Sequence, residues 1–174
     1  MVLNYSLRRG INAGMSTPLE QSIGTLLRER GMKLATAESC TGGLVADLIT
    51  NVAGSSDYFL GGVVAYSYEA KVALLNVTWD TLQKFGAVSR ETVIEMAHGV
   101  RTAMAADIGI SVSGIAGPGG GLADKPVGTT WICLATPDGD WTRKFIWSED
   151  RRGNKQSSAQ AALQLVQDYL DGKL

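Results

Sequence analysis

Lys33-Leu34-Ala35-Thr36-Ala37-Glu38-Ser39-Cys40-Thr41-Gly42-Gly43-Leu44-Val45 contains a change of period. Residues 33–37 read as a short buried strand. Hydroxyl, thiol and glycine residues follow, and then Leu44, Val45, Leu48, Ile49 and Val52 fall at helical spacing. A strand that passes through a tight glycine-containing loop into a helix is the building unit of an α/β domain. The pattern extends both ways. Upstream, Thr17-Pro18-Leu19-Glu20 reads as an N-cap, a first-turn proline and the acid of a capping box. Leu19, Ile23, Leu26 and Leu27 carry that helix on, and Gly31 stops it. Downstream, 59–66 reads as an apolar strand with a Gly61-Gly62 break. Ser67 and Thr78 cap two short helices, ending at Leu75 and before Gly86. Ser89 opens a longer helix with Val93, Met96, Ala97, Val100 and Met104 on one face. Residues 108–113 read as a buried strand. Residues 129–135 and 141–147 form an antiparallel hairpin about the turn Pro137-Asp138-Gly139. A last helix spans 150–170 with Ala159, Leu163, Val166 and Leu170 inward. This order predicts a three-layer α/β/α sandwich. Its five-stranded sheet is mixed and mostly parallel, with one antiparallel strand and helices on both faces.

The 174 residues suit one domain. Residues 1–16 read as a disordered leader, with Met15 a candidate start, and 17–174 as the folded domain. With 16 Lys+Arg and 17 Asp+Glu the net charge is −1, which lacks the basic excess of a nucleic-acid binder. Two cysteines without a CxxC pair, and one histidine, exclude a disulfide framework and a Cys- or His-rich metal site. No apolar run is long enough to span a membrane, and the N-terminus has no secretory apolar core, so a cytoplasmic protein is expected. The 21 glycines are about 12 % of the chain, against an average near 7 %. They cluster at 42–43, 61–62 and 114–121, which suggests backbone brought close to a ligand.

In such a sheet, ligands bind beyond the carboxyl ends of the strands. Three loops converge there: 38–43, 66–71 and 113–121. In the first, Ser39, Cys40 and Thr41 precede Gly42 and Gly43 at a helix start. This reads as a nucleophile beside unpaired N–H donors, or equally as a hydroxyl cap with glycines for close packing. A serine nucleophile needs a base. His98 lies mid-helix off the apolar face and reads as solvated. Lys71 stands one turn into the helix after Tyr66, where the helix dipole and partial burial favour its neutral form; the alternative is an exposed surface lysine. Cys40 is the rival nucleophile. The run 113–121 could wrap a phosphate with backbone N–H groups, although it is neither a Walker loop nor a dinucleotide fingerprint. Arg151, Arg152 and Lys155 could pair with that phosphate or simply be solvated. Trp131, Trp141 and Trp147 read as core packing or as a subunit interface, and Cys133 as an inert buried thiol.

Taken in order, 36–43, Gly54-Ser55-Ser56, 66–71, Gly86-Ala87-Val88-Ser89, 113–118 and Lys125-Pro126-Val127-Gly128-Thr129 resemble the CinA C-terminal domain family over about residues 19–170. The resemblance implies hydrolysis of the carboxamide of nicotinamide mononucleotide, giving nicotinate mononucleotide and ammonia. It implies no metal or organic cofactor. It carries the nucleophile onto Ser39 and its relay onto Tyr66 and Lys71, and the substrate-binding residues onto Glu38, Cys40, Thr41, Gly42, Gly43, Ser113, Gly114, Gly117 and Arg151. Expected partners are the mononucleotide and a second copy of the chain, without nucleic acid or membrane. One departure from the family falls within its motifs: Lys155 stands where a second arginine is common. That keeps the charge and loses the bidentate fork. A catalytically idle mononucleotide sensor, or a regulatory factor linked to competence or DNA damage, is the alternative reading.

Overall fold

The computed structural model describes residues 18–174. The expected leader, the start at Met15 and the Thr17 cap lie outside the described residues. Helix α1 (Leu19–Arg30) begins after Pro18, which occupies the cap position itself, and Gly31 ends it in the left-handed region. Then follow β1 (Leu34–Glu38), α2 (Leu44–Thr50), β2 (Phe59–Val64), α3 (Tyr68–Leu75), α4 (Trp79–Phe85), α5 (Arg90–Ala103), β3 (Ile108–Gly114), β4 (Thr129–Thr136), β5 (Gly139–Ile146) and α6 (Arg151–Leu170). The caps read from the sequence form as expected. Ser67, Thr78 and Ser89 accept hydrogen bonds from the amides of Ala70, Thr81 and Thr92. Asp150, which the sequence reading did not single out as a cap, caps α6 by accepting from Gly153 N.

The sheet order is β2-β1-β3-β4-β5. β1 pairs in parallel with β2 and β3, whereas β4 runs antiparallel to both β3 and β5. One strand therefore opposes the other four, as the sequence predicts. Side chains alternate across the sheet even though both faces are buried. Leu34, Ile108, Ile110, Val112, Ile132 and Leu134 pack with α1, α2 and α6. Ala35 and Ala37 pack on the opposite face with Met96 and Val100 of α5, and Cys133 and Ala135 pack with Val93 and Ala97. β2 ends two residues earlier than its apolar run suggests. The Ala65 amide makes the last rung, to Glu38 O at 2.8 Å, and the chain then leaves the sheet.

From β1 the chain crosses to β2 on one side, and β3 returns on the other. The strand order thus reverses between β1 and β3, and the crevice beyond their carboxyl ends is the switch point where α/β sheets bind ligands. α5 lies close under this sheet and against α3. A methyl group on Gly99 would come within 1.9 Å of the Leu75 carbonyl oxygen. Gly99→Ala gains helix propensity but must push α5 off α3. The net effect is expected to be destabilisation of about 1–3 kcal/mol, read as a fall in the thermal midpoint. An unchanged or higher midpoint would show that the α3–α5 contact yields freely.

Candidate active site

β1 delivers Glu38 and Ser39 to the crevice. The Glu38 side chain is 1 % exposed and turns back under α2. Its carboxylate accepts hydrogen bonds from Gly43 N (2.9 Å), Val45 N (3.1 Å) and Ala46 N (2.9 Å). It supplies the anionic cap that α2 lacks locally, so this expected substrate ligand is engaged by the scaffold. Gly42 and Gly43 both have positive φ, 66° and 96°, which lets the chain turn sharply above that carboxylate. The amides of Cys40, Thr41 and Gly42 donate to no acceptor among the described residues, whereas Ser39 N is held by Val112 O at 3.0 Å.

Lys71 enters from α3 and is fully buried. The exposed-surface alternative is thereby excluded. Its Nζ lies 3.0 Å from Ser39 Oγ and donates to Ala65 O (2.7 Å) and Tyr66 O (3.3 Å). These two carbonyls can take the two protons of a neutral amine, leaving its lone pair for the Ser39 hydroxyl. Burial, opposed in part by the Cys40 sulfur, lowers the Lys71 pKa from 10.5 to about 8. Cys40, next in sequence, is also buried. Loss of solvent raises its thiol to about 11, so the thiolate is scarce at neutral pH. His98 is exposed and pairs with Asp140 at 2.8 Å, away from Ser39.

Tyr66 reaches the site in two ways. Its carbonyl holds Lys71, while its exposed phenol accepts a hydrogen bond from Arg151 Nη2 at 3.3 Å. The phenol makes no hydrogen bond to Ser39 or Lys71. The other arm of Arg151 donates to Gly117 O at 2.6 Å, so Arg151 ties the glycine-rich loop to Tyr66. Ser113 is buried and donates to Ala87 O at 2.7 Å, closing the wall between β3 and the α4–α5 connection. A methyl on Gly114 would lie 3.1 Å from Cys40 Sγ and 2.8 Å from Thr129 O, which explains the glycine at the end of β3. Asn154 was not singled out in the sequence. It is 2 % exposed and donates to Ala116 O at 3.1 Å. Its signal was its place on the buried Asn154, Ser158, Ala162, Val166 stripe of α6.

These groups border two cavities. The smaller, about 200 Å³, is lined by Ser39, Cys40, Tyr66, Ser113 and Arg151. The larger, about 1100 Å³, lies beside it and is lined by Thr41, Gly42, Arg152 and Lys155; the two share Ala116 and Arg151. No group of three or more His, Cys, Asp or Glu side chains among the described residues could hold a metal ion. No described helix is long and apolar enough to cross a membrane. The hairpin tryptophans are half-buried and engaged. Trp141 packs on Tyr169, Trp147 stacks on Phe145 and donates to Ser158, and Lys144 covers Trp131.

Fold and site together define an α/β domain with a buried serine–lysine pair at its switch point. The pattern of the CinA C-terminal domain matches residues 16–170, and the chain belongs to that family. It is 50 % identical over 155 residues to a putative competence-damage inducible protein of Halothermothrix orenii, covering 88 % of this chain and 38 % of that one. It is 47 % identical over 152 residues to a CinA-like protein of Desulfotalea psychrophila, covering 87 % and 37 %. The chain thus spans under two-fifths of the length of these curated relatives. The crystal structure of the competence/damage inducible protein CihA from Agrobacterium tumefaciens superimposes with a TM-score of 0.85 at 38 % identity, covering 88 % of this chain and 93 % of that one. A CinA superfamily protein from Klebsiella pneumoniae gives 0.85 at 34 % identity, covering 88 % and 96 %.

The raised Cys40 thiol carries a prediction. Alkylation of native protein by iodoacetamide, followed by mass spectrometry, is expected to leave Cys40 unmodified at pH 7.5 under conditions that label a free cysteine fully. Rapid native labelling at that pH would contradict the buried, protonated thiol and restore Cys40 as a nucleophile.

Proposed function

We propose that this chain is a metal-independent serine amidohydrolase that converts nicotinamide mononucleotide to nicotinate mononucleotide and ammonia. The observation that carries the reading is the buried Lys71 amine, 3.0 Å from Ser39 Oγ and shifted towards its neutral form. Membership of the CinA C-terminal family, and two adjoining cavities of unequal size, support the choice of substrate. The smaller cavity would receive the pyridine carboxamide and the larger the ribose phosphate.

Neutral Lys71 takes the Ser39 proton as Oγ attacks the carboxamide carbon. The resulting oxyanion would lie on the free amides of Cys40 and Thr41, fixed beforehand because Glu38 anchors the following turn. Lys71 then returns the proton to the departing nitrogen, and ammonia leaves. The Ser39 ester is hydrolysed by a water that gives its proton to Lys71, and Ser39 recovers that proton as the acid product separates. Tyr66 serves this relay through its carbonyl, which positions Lys71, while its phenol borders the substrate cavity.

Purified protein is expected to release ammonia from nicotinamide mononucleotide in the presence of chelator. Ser39→Ala and Lys71→Met are each expected to cost at least about a thousandfold in kcat. Only the unprotonated lysine accepts a proton, so kcat/KM is expected to rise with pH, reach half its maximum near the Lys71 pKa of about 8, and level off above it. Mononucleotide binding without ammonia release would overturn the reading, and so would near-normal turnover in Lys71→Met.

A further inference from the structure

We infer that Tyr68 and Lys125 are positioning residues that clamp the 85–88 connection, one from α3 and the other from the glycine-rich loop, and so set the width of the small cavity beside Ser39; this rests on the amidohydrolase reading for the identity of the substrate. The connection between α4 and α5 supplies Ala87 and Val88 to that cavity, which measures only about 200 Å³. Its backbone is fastened from several sides. The Gly86 carbonyl accepts from Ser89 Oγ (3.0 Å) and Thr92 Oγ1 (2.8 Å) at the start of α5. The Ala87 carbonyl accepts from Ser113 Oγ, and the Ala87 amide donates to the Tyr68 phenol oxygen at 3.3 Å. The Phe85 carbonyl, at the end of α4, accepts from Lys125 Nζ at 2.7 Å.

Tyr68 and Lys71 stand three residues apart on α3, so they are neighbours on one helix face. Lys71 meets Ser39 Oγ at 3.0 Å, while Tyr68 holds a wall of the same cavity. A single turn of helix thus fixes the base and the wall relative to each other. The Tyr68 ring is itself held by Trp79 at the start of α4, with ring centroids 6.4 Å apart. Lys125 works from another direction. Its backbone is closed into a tight turn with Leu122 by two hydrogen bonds, of 2.8 and 3.1 Å. Its ammonium rests on the carboxyl end of α4, where a cation is favoured. It thereby ties the loop that begins with Gly114 and Ala116, both at the small cavity, to the connection that carries Ala87 and Val88. Tyr68 and Lys125 do not line the small cavity themselves, so they act on the reaction through the wall. The 85–87 carbonyls and the Ala87 amide are engaged by protein groups, which leaves the Ala87 and Val88 side chains as the wall's main offering to a ligand. Such a wall suits a flat, uncharged aromatic amide. In so small a cavity, its position decides whether a ring substituent fits.

The test uses the intact protein and compares nicotinamide mononucleotide with its ring-methylated analogue, 5-methylnicotinamide mononucleotide. Calorimetry on a Ser39→Ala background reads binding without reaction, and steady-state kinetics with Ser39 in place reads turnover. The native wall is expected to favour the unmethylated ligand in both. Tyr68→Phe keeps the ring on Trp79 and removes only the phenol oxygen, and Lys125→Met removes only the ammonium. Each is expected to raise KM about three- to tenfold, with little change in kcat. Each is also expected to narrow the preference for the unmethylated ligand by a similar factor. Lys125→Arg, which restores a donor to the Phe85 carbonyl, is expected to recover that preference. The midpoint of kcat/KM is expected to stay near pH 8, because the carbonyls of Ala65 and Tyr66 still hold Lys71. A merely structural role would lower the thermal midpoint and leave the preference intact. An unchanged preference in both variants, measured well below their thermal midpoints, would therefore overturn the inference. Failure of either ligand to bind behind the native wall would overturn it together with the amidohydrolase reading. A preference in binding that depends on Tyr68 and Lys125, without ammonia release, would uphold the clamp and defeat only the amidohydrolase reading.

Discussion

A primary amine buried between two carbonyl oxygens and a serine hydroxyl is the feature on which the rest of the site depends. Taking Lys71 out of water penalises its charged form, and no carboxylate is hydrogen-bonded to it. The cost appears in folding itself. The folded protein releases this proton near pH 8, whereas an unfolded chain holds it to about pH 10.4. Between these values the unfolded state binds more protons, so the burden on folding lightens as pH rises through that window. A fold that keeps such a lysine must hold it rigidly. Ala65 and Tyr66 do so where the chain leaves β2, and Ser67 starts α3 at once, so that Lys71 returns over Ser39.

The scaffold around this pair is built from close approaches. Glu38 gathers three amides at the start of α2 and leaves those of Cys40, Thr41 and Gly42 unpaired. Gly114 lets β3 end against Cys40 and β4 without a side chain between them. Asn154 and Arg151 then pull the 116–117 carbonyls down onto α6. Neighbouring cavities of different character result: one small and lined by Ser39, the other larger and bordered by cations. Both sit at the β1–β3 reversal, so topology and chemistry coincide.

The element order, the single antiparallel strand and the caps at Ser67, Thr78 and Ser89 were legible because each is written in local sequence. Period, cap residue and turn residue agree at every one of these positions. Strand ends made legible that the loops carrying Ser39, Tyr66 and Lys71 meet, since parallel strands bring successive loops to one edge; whether Lys71 is buried stayed open until the family resemblance pointed inward. Side-chain direction was not legible there. Glu38 lies on the α2 face of β1 and finds amides closer than any ligand. The Tyr66 phenol points away from the lysine that its own carbonyl holds, because the two groups leave the backbone in different directions. Arg151 and Lys155, four residues apart on α6, read alike as cations. Only the tertiary contacts of Arg151 with Gly117 and Tyr66 separate them. Asn154 stayed hidden because a polar residue in the first turn of a helix is ordinarily solvated.

Direct titration of Lys71 is the most searching test of this account. Heteronuclear NMR of protein labelled at its lysine side chains, with Lys71→Met to assign the resonance, would follow its protonation in the resting protein. The account predicts a midpoint near 8, well below those of the surface lysines. A Lys71 that titrates with the others near 10.4 would contradict it, because a lysine charged throughout the neutral range could not take the proton from Ser39.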